Sequence, residues 1–174
     1  MNHKTPATAE QVAAFFLYTM ESNFYRQLNA AMRDEDRSKA APFFRYLKLL
    51  FGGLEALCSS CGRLKRRPAE LWRGVHKNLI ADHPKGSEIT WWGASSCTPK
   101  LSVAEGFLGS SGPRTLFVVR HRSGVPIRDY SAFRGEEEWL LAPGTRFRVD
   151  GVVQRSGGLA RITVTELPPP RSIR

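Results

Sequence analysis

The chain has 174 residues and a formal net charge of +10, with 26 Lys and Arg against 16 Asp and Glu. Hydrophobic residues make up 41% of it and charged residues 24%, which is usual for a soluble globular protein that needs no disulfide or metal to fold. No apolar run approaches a membrane span, and no secretory signal is visible, since the opening residues are polar and Glu21 interrupts the first apolar stretch. We expect one domain over residues 1–174, helical over 1–67 and β-rich over 68–170.

The basic balance could attract nucleic acid, acidic membranes or a phosphate-rich ligand. Its densest run is Arg63-Leu64-Lys65-Arg66-Arg67, directly before Pro68. A nucleic-acid patch would need stacking aromatic residues between the charges, and this run has none. We therefore interpret it as a solvated loop and expect no specific nucleic-acid partner.

Three cysteines, Cys58, Cys61 and Cys97, give no disulfide framework. Cys58 and Cys61 have C-x-x-C spacing, but no second ligand pair completes a zinc site. An apolar helical run precedes them, whereas a redox dithiol is preceded by a strand. We expect free thiols, which fit a reducing compartment, and no metal.

The first third of the chain has the apolar spacing of helices. Thr8 can cap a segment over Ala9–Arg33, with a possible break at Asn23, and Pro42 can begin a second helix. The apolar side chains of both are predicted to form core: Val12, Phe15, Phe16, Thr19, Phe24, Leu28, Ala31, Met32, Phe43, Tyr46, Leu47, Leu50, Leu54 and Leu57.

After Pro68 the pattern changes to short β-rich runs bounded by Gly and Pro. The predicted strands are Leu71–Val75, Glu88–Ala94, Thr115–Arg120, Glu136–Leu141, Thr145–Val153 and Leu159–Leu167, with a short helix at Val103–Leu108. Helices followed by strands predict an α+β fold. The chain contains neither G-x-G-x-x-G nor G-x-x-x-x-G-K-[ST], so a Rossmann or P-loop nucleotide site is not supported.

Three separated features carry possible chemistry. Arg73 is the one charged residue of Leu71–Val75 and would either pair across the sheet or anchor a phosphate. The Trp-rich run Trp91–Thr98 ends in small hydroxyl residues, where Thr98 could cap the next helix or a hydroxyl could hold a carboxylate. Trp91 and Trp92 are expected to be core residues, given their place on a strand.

The third feature is Glu136-Glu137-Glu138 at the start of an apolar run. In a strand, residues i and i+2 face the same side, so Glu136 and Glu138 would point together. Taken alone, an exposed acidic strand start explains this run.

In this order, the three features resemble the arginine–serine–glutamate signature of the mono-ADP-ribosyltransferases. Arg73 matches the strand arginine, Ser96-Cys97-Thr98 the Ser-Thr-Ser motif, and Glu136-Glu137-Glu138 the Glu-x-Glu motif. The resemblance covers about Tyr18–Val149. It implies N-terminal helices packed on a two-sheet β core.

The resemblance implies that NAD is the substrate that donates ADP-ribose, with no metal. Arg73 would hold its phosphates, Gly74 would meet the nicotinamide amide, and Ser96 would fix the rotamer of Glu138. Glu138 would stabilise the positive charge that develops on the ribose. The remaining residues expected to contact NAD are Cys97, Thr98 and Phe107.

Glu136 would face the acceptor, and in this family a glutamate here goes with arginine. The loop Pro126–Gly135 would recognise a target protein, with Tyr130, Phe133 and Arg134 as contacts. The alternatives are transfer to another acceptor such as a threonine hydroxyl, NAD hydrolysis, and a partner-binding member without catalysis.

Two residues depart from the family pattern: Cys97 replaces Thr, and Ala94 replaces an aromatic residue. The paired cysteines of the animal ecto-enzymes are not evident. We therefore expect a bacterial or intracellular member, either cytoplasmic or secreted as an effector into a host cytoplasm. We also expect a monomer.

Overall fold

The computed structural model describes residues 6–20, 22–61 and 67–169. They form two compact units: the described residues of Met1–Arg67, Trp92–Ser95 and Ser123–Pro143 in the first, and those of Pro68–Trp91, Ser96–Arg122 and Gly144–Arg174 in the second. Arg63–Arg66 of the basic run lie outside the described residues. The prediction of one domain stays a prediction.

Helices come first and strands follow, which confirms the α+β prediction. In chain order the elements are α1 (Ala9–Thr19), α2 (Asn23–Arg33), α3 (Phe44–Cys61), β1 (Leu71–Val75), β2 (Glu88–Trp91), β3 (Ser95–Cys97), α4 (Leu101–Leu108), β4 (Arg114–Arg120), β5 (Val125–Pro126), β6 (Trp139–Leu141), β7 (Thr145–Gln154) and β8 (Leu159–Glu166). Short 3-10 turns lie at Arg37–Phe43, Arg128–Tyr130 and Ser156–Gly158.

The first helices begin and end for local reasons. The Thr8 hydroxyl accepts from the Gln11 amide over 3.3 Å, and the Gln11 side chain accepts from the Thr8 amide over 2.9 Å, a reciprocal capping box. α1 ends at Thr19 and α2 begins at Asn23, so the predicted break is confirmed. Pro42 lies in the 3-10 turn that leads into α3.

The helices of the first unit bury one apolar cluster together with parts of its small sheet. Its buried members are Phe15, Tyr18, Leu28, Met32, Ala40, Leu47, Leu50, Leu54, Leu57, Ala94, Val125, Ile127 and Leu140. Phe16 is exposed, so its assignment to the core is wrong: α1 turns Ala14, Phe15 and Tyr18 inward instead. In the small sheet the strand order is β3-β6-β5, with β5 antiparallel to β6.

The second unit is built on a five-stranded sheet of order β1-β4-β8-β7-β2. β4 and β8 run parallel, and the other pairs are antiparallel. α4 covers this sheet through Ala104 and Leu108, which pack with Leu116 of β4 and with the half-buried Trp72 of β1.

Two predicted strands are shorter than expected. β6 begins only at Trp139, and the amide of Glu136 donates to the carbonyl of Phe133 in a turn (3.1 Å), so Glu136 lies outside the strand. The strand alternation invoked for Glu136 and Glu138 is therefore wrong. β2 ends at Trp91, before Gly93 and Ala94.

The thiol of Cys58 is free, as predicted, and half-buried, whereas Cys97 is buried. The side chain of Cys61 lies outside the part described. Among the described residues, no group of His, Cys, Asp and Glu could hold a metal ion. No helix in the described ranges is long and apolar enough to cross a membrane.

Candidate active site

Arg73 is held within the second unit by a backbone carbonyl. Its Nη1 donates to the carbonyl oxygen of Ser96 over 2.7 Å, and the side chain is half-buried. Arg73 has no carboxylate partner among the described residues, so the cross-sheet ion pair considered from the sequence is not observed. Because only a neutral carbonyl accepts from it, the guanidinium keeps its full charge for an anion.

Backbone pairing holds the serine motif against β1. The Trp72 amide donates to the Thr98 carbonyl over 2.7 Å, and the Thr98 amide donates back over 2.9 Å. Trp72 directly precedes Arg73, and Thr98 is two residues after Ser96. The bridge therefore fixes the backbone that carries Arg73 against the backbone that carries Ser96. The Thr98 hydroxyl accepts from the Lys100 amide, but Lys100 rather than Thr98 is the N-cap residue of α4.

Gly74 is required by the packing of α4. A Cβ at this position would lie 2.7 Å from Cγ of Leu108 and 3.1 Å from the carbonyl oxygen of Ala104. Glycine therefore lets α4 approach β1, a structural reason that the sequence did not reveal. Its contact with nicotinamide stays a prediction.

Phe107 stands at the surface of α4. Its ring is 65% exposed and lies 5.1 Å from the ring of His76. An exposed aromatic face of this kind can stack on a planar ligand, which is compatible with the contact to NAD predicted for it.

Glu138 lies in the first unit, directly before β6, and is half-buried. Its backbone carbonyl accepts from the Ile127 amide over 2.9 Å, which closes the loop between β5 and β6. One carboxylate oxygen lies 3.5 Å from the Ser131 hydroxyl, which donates to it. The bracing of Glu138 by Ser96 stays a prediction.

The residues predicted to meet the acceptor differ in exposure. Glu136 and Arg134 are exposed, and Phe133 is 46% exposed. The ring of Tyr130 lies 5.9 Å from that of Phe15 and packs against the apolar cluster of the first unit. Tyr130 therefore anchors the loop Pro126–Gly135 to the apolar cluster of the first unit.

Two adjacent residues at the end of α1 hold the loops of the first unit, a role missed from the sequence. The Tyr18 hydroxyl donates to the Ala94 carbonyl over 3.0 Å. The Thr19 hydroxyl accepts from the Ala132 amide over 2.9 Å. The sequence offered a weak signal, since the two polar groups of Tyr18 and Thr19 follow directly on the apolar run Val12–Leu17.

Trp92 corrects an expectation, because it is 49% exposed instead of buried. The guanidinium carbon of Arg37 lies 4.9 Å from the centre of its ring, in cation–π geometry. Nearby, Gly93 faces Asn29, whose buried carbonyl oxygen has no hydrogen-bond partner in the described structure. Trp91, in contrast, packs on Phe117 and Phe147 as predicted.

Comparison with known proteins identifies the class. A model of the NAD:arginine ADP-ribosyltransferase family, ART, matches residues 4–168. The match spans almost the whole chain, including Arg73, Ser96 and Glu138. The chain belongs to this family, which confirms the resemblance seen in its motifs.

Individual relatives agree with the family assignment. GPI-linked NAD(P)(+)–arginine ADP-ribosyltransferase 1 of Oryctolagus cuniculus is 34% identical over 162 residues, covering 91% of this chain and 48% of that protein. The Homo sapiens protein of the same name is 32% identical over 161 residues, with coverages of 91% and 48%. The chain thus spans about half the length of the curated relatives it matches.

Solved structures show the same fold. The ADP-ribosyltransferase Vis in complex with agmatine has a TM-score of 0.72 at 22% identity, covering 92% of this chain and 75% of that one. The ADP-ribosyltransferase HopU1 of Pseudomonas syringae has a TM-score of 0.72 at 17% identity, with coverages of 90% and 76%.

Proposed function

We propose that this chain transfers ADP-ribose from NAD to an arginine side chain of a target protein and releases nicotinamide. The observation that carries the proposal is the family match over residues 4–168, which includes the Arg, Ser and Glu-x-Glu motifs in the family order. The bond between Arg73 and the Ser96 carbonyl supports it, because two of these motifs are joined as folded neighbours.

Arg73 binds the phosphates of NAD with its guanidinium charge, which no carboxylate among the described residues neutralises. Ser96 braces Glu138, and Gly74 offers its backbone to the nicotinamide amide. Cys97 and Thr98 shape the floor of the donor site, and the exposed ring of Phe107 covers the nicotinamide. NAD is consumed as the substrate that donates ADP-ribose, and NADP is the second donor that we propose.

The reaction breaks the bond between C1′ of the ribose and the nicotinamide nitrogen. The bonding electron pair leaves with nicotinamide, and positive charge develops on the ribose, as in glycoside cleavage generally. The carboxylate of Glu138 accepts from the 2′-hydroxyl and stabilises that charge. A guanidine nitrogen of the acceptor then bonds to C1′ and loses a proton.

Glu136 receives the acceptor. Its exposed carboxylate can pair with a guanidinium, hold it in line with C1′ and accept the released proton. Phe133 and Arg134, exposed on the same loop, contact the surrounding surface of the target protein.

The test is nicotinamide release and labelling of a small guanidine. The protein is incubated with labelled NAD, with and without agmatine, and both nicotinamide and ADP-ribosylated agmatine are quantified. Glu138→Gln should lower release at least about 100-fold, by loss of preorganised charge stabilisation. Release by wild type without transfer would reassign the chain as an NAD glycohydrolase, and no release would identify a non-catalytic member.

Glu88→Gln is the matched control. Glu88 is an exposed carboxylate on β2 whose partner is Arg146, at 2.6 Å, and it has no role in the proposed site. It should keep wild-type activity. Equal activity of the Glu138 and Glu88 variants would contradict the assignment of Glu138.

We propose further that the protein acts as a monomer in a reducing cytoplasm, its own or that of a host into which it is secreted as an effector. The free thiol of Cys58 supports a reducing compartment. Labelling of host lysate proteins with NAD, followed by mass spectrometry, would identify the target protein and the acceptor side chain together. A hydroxyl acceptor such as threonine would overturn the arginine assignment.

A further inference from the structure

Ser131 is buried, at 1% exposure, within the loop Pro126–Gly135, here called the acceptor loop. Its Oγ accepts from the Phe133 amide over 3.0 Å and donates to a carboxylate oxygen of Glu138 over 3.5 Å. We propose that Ser131 is a positioning residue that orients the Glu138 carboxylate and joins it to the acceptor loop. The inference rests on the proposed function, and it assigns a second serine to Glu138 besides Ser96.

Hydrogen-bond chemistry sets the direction of both contacts. A serine hydroxyl has one proton to donate and two lone pairs to accept with. Because the Phe133 amide must be the donor in its contact, the hydroxyl proton of Ser131 remains for Glu138. An ionised carboxylate only accepts, so the two partners of Ser131 use different parts of the hydroxyl without conflict.

The loop that carries Ser131 is held by one bond to α1 and by one bond within itself. The Ala132 amide donates to the Thr19 hydroxyl of α1 over 2.9 Å. Within the loop, Nε of Arg128 donates to the Arg134 carbonyl over 2.8 Å. The Ser131 hydroxyl therefore has a defined position, and it can transmit that position to the carboxylate.

The arrangement also links two parts of the proposed reaction. Phe133, whose amide binds Ser131, is exposed where the target protein is expected, whereas Glu138 acts on the ribose. A single oxygen atom contacts both. A displacement of the loop at Phe133 would therefore shift the Ser131 hydroxyl and weaken the hydrogen bond that it donates to Glu138.

The experiment compares Ser131→Ala with wild type in nicotinamide release without an acceptor. A lost hydrogen bond to a charged group is worth about 1.5–3 kcal/mol, and the long distance places this one at the lower end, so kcat should fall about 10-fold. KM for NAD should stay unchanged, since the donor-binding residues are untouched. Ser131→Thr, which restores the hydroxyl, should recover most of kcat.

Thr115→Val is the matched control for loss of a buried hydroxyl. Thr115 is fully buried in β4, donates to the Lys77 carbonyl over 2.7 Å and accepts from the Leu79 amide over 3.1 Å. It should lower the melting temperature and leave kcat unchanged. If Ser131 served only to shape its turn, Ser131→Ala would behave in the same way.

The outcomes separate the inference from the function beneath it. An active wild type with an equally active Ser131→Ala variant would overturn the inference alone. A fall in kcat that Ser131→Thr does not recover at unchanged melting temperature would also overturn it. A wild type that releases no nicotinamide would overturn the proposed function, and the inference with it.

Discussion

Nη1 of Arg73 donates to the carbonyl oxygen of Ser96 over 2.7 Å. The contact joins β1 to β3 and ties two motifs that are 23 residues apart in sequence. The bond satisfies one N–H donor of the forked guanidinium, whose positive charge no carboxylate among the described residues balances. The side chain is thereby oriented before any ligand arrives, which lowers the entropic cost of binding one.

Arg73→Lys tests whether the fork, and not only the charge, is needed. A lysine has one rotatable ammonium, so it cannot hold the Ser96 carbonyl and grip a phosphate in the same fixed geometry. We expect kcat/KM for NAD to fall roughly 10- to 100-fold, as for loss of about 1.5–3 kcal/mol from a charged hydrogen bond. Steady-state kinetics measure this. Retention of wild-type kcat/KM would show that charge alone suffices.

Glu136→Gln tests the acceptor role. The neutral amide has no charge to pair with a guanidinium and cannot take up its proton, so transfer to agmatine should fall at least about 100-fold, whereas nicotinamide release without acceptor should change less than about threefold. Chromatography of both products measures the split. Glu137→Gln, one residue away, is the matched comparison and should keep transfer. Equal transfer by wild type and Glu136→Gln would mean that another side chain accepts ADP-ribose.

Gly74→Ala tests the close packing of α4 on β1. The added Cβ would lie 2.7 Å from Cγ of Leu108 and 3.1 Å from a backbone oxygen, so the helix itself must shift. Overpacking of this kind costs about 1–3 kcal/mol of unfolding free energy. Urea denaturation measures it, with Gly106→Ala as the control, since a Cβ at Gly106 meets nothing within 4 Å. Equal stability of the two variants would contradict the proposed packing constraint.

His83 should make stability fall in acid. Burial lowers the pKa of His83 below its ordinary value of 6.5, its Nδ1 contacts the Leu79 carbonyl, and its Nε2 is buried without a partner in the described structure. As the pH falls through about 6.5, the unfolded chain takes up a proton that the folded chain resists, so unfolding becomes easier.

The measurement is the melting temperature between about pH 7.5 and about pH 5.5. His83→Asn keeps an amide donor for the Leu79 carbonyl but does not titrate, so its melting temperature should fall less over this window than that of wild type. If the melting temperatures of wild type and His83→Asn fell by the same amount over this window, the acid sensitivity would belong to other groups. The carboxylate of Asp150 does not interfere, because the Thr165 hydroxyl and, to a lesser extent, Arg148 hold its pKa below the ordinary value of 3.8.

Much of the architecture was predictable because it depends on local chemistry. The Thr8 cap, the break before Asn23, and the turn-bounded strands follow from residue types over a few positions. Side-chain burial was less predictable. Phe16 and Trp92 look like core residues by type, yet both are exposed, because burial depends on which face of each element meets the rest of the fold.

The sequence by itself determined the class of protein, since Arg73, Ser96 and Glu138 occur in the family order and the match extends over residues 4–168. It did not determine how those side chains are held. The Ser96 carbonyl under Arg73 and the Ser131 hydroxyl beside Glu138 are contacts between segments that meet only when the chain folds. The strand predicted for Glu136 was wrong because its amide bonds to the Phe133 carbonyl in a turn, which the periodicity of the sequence does not show.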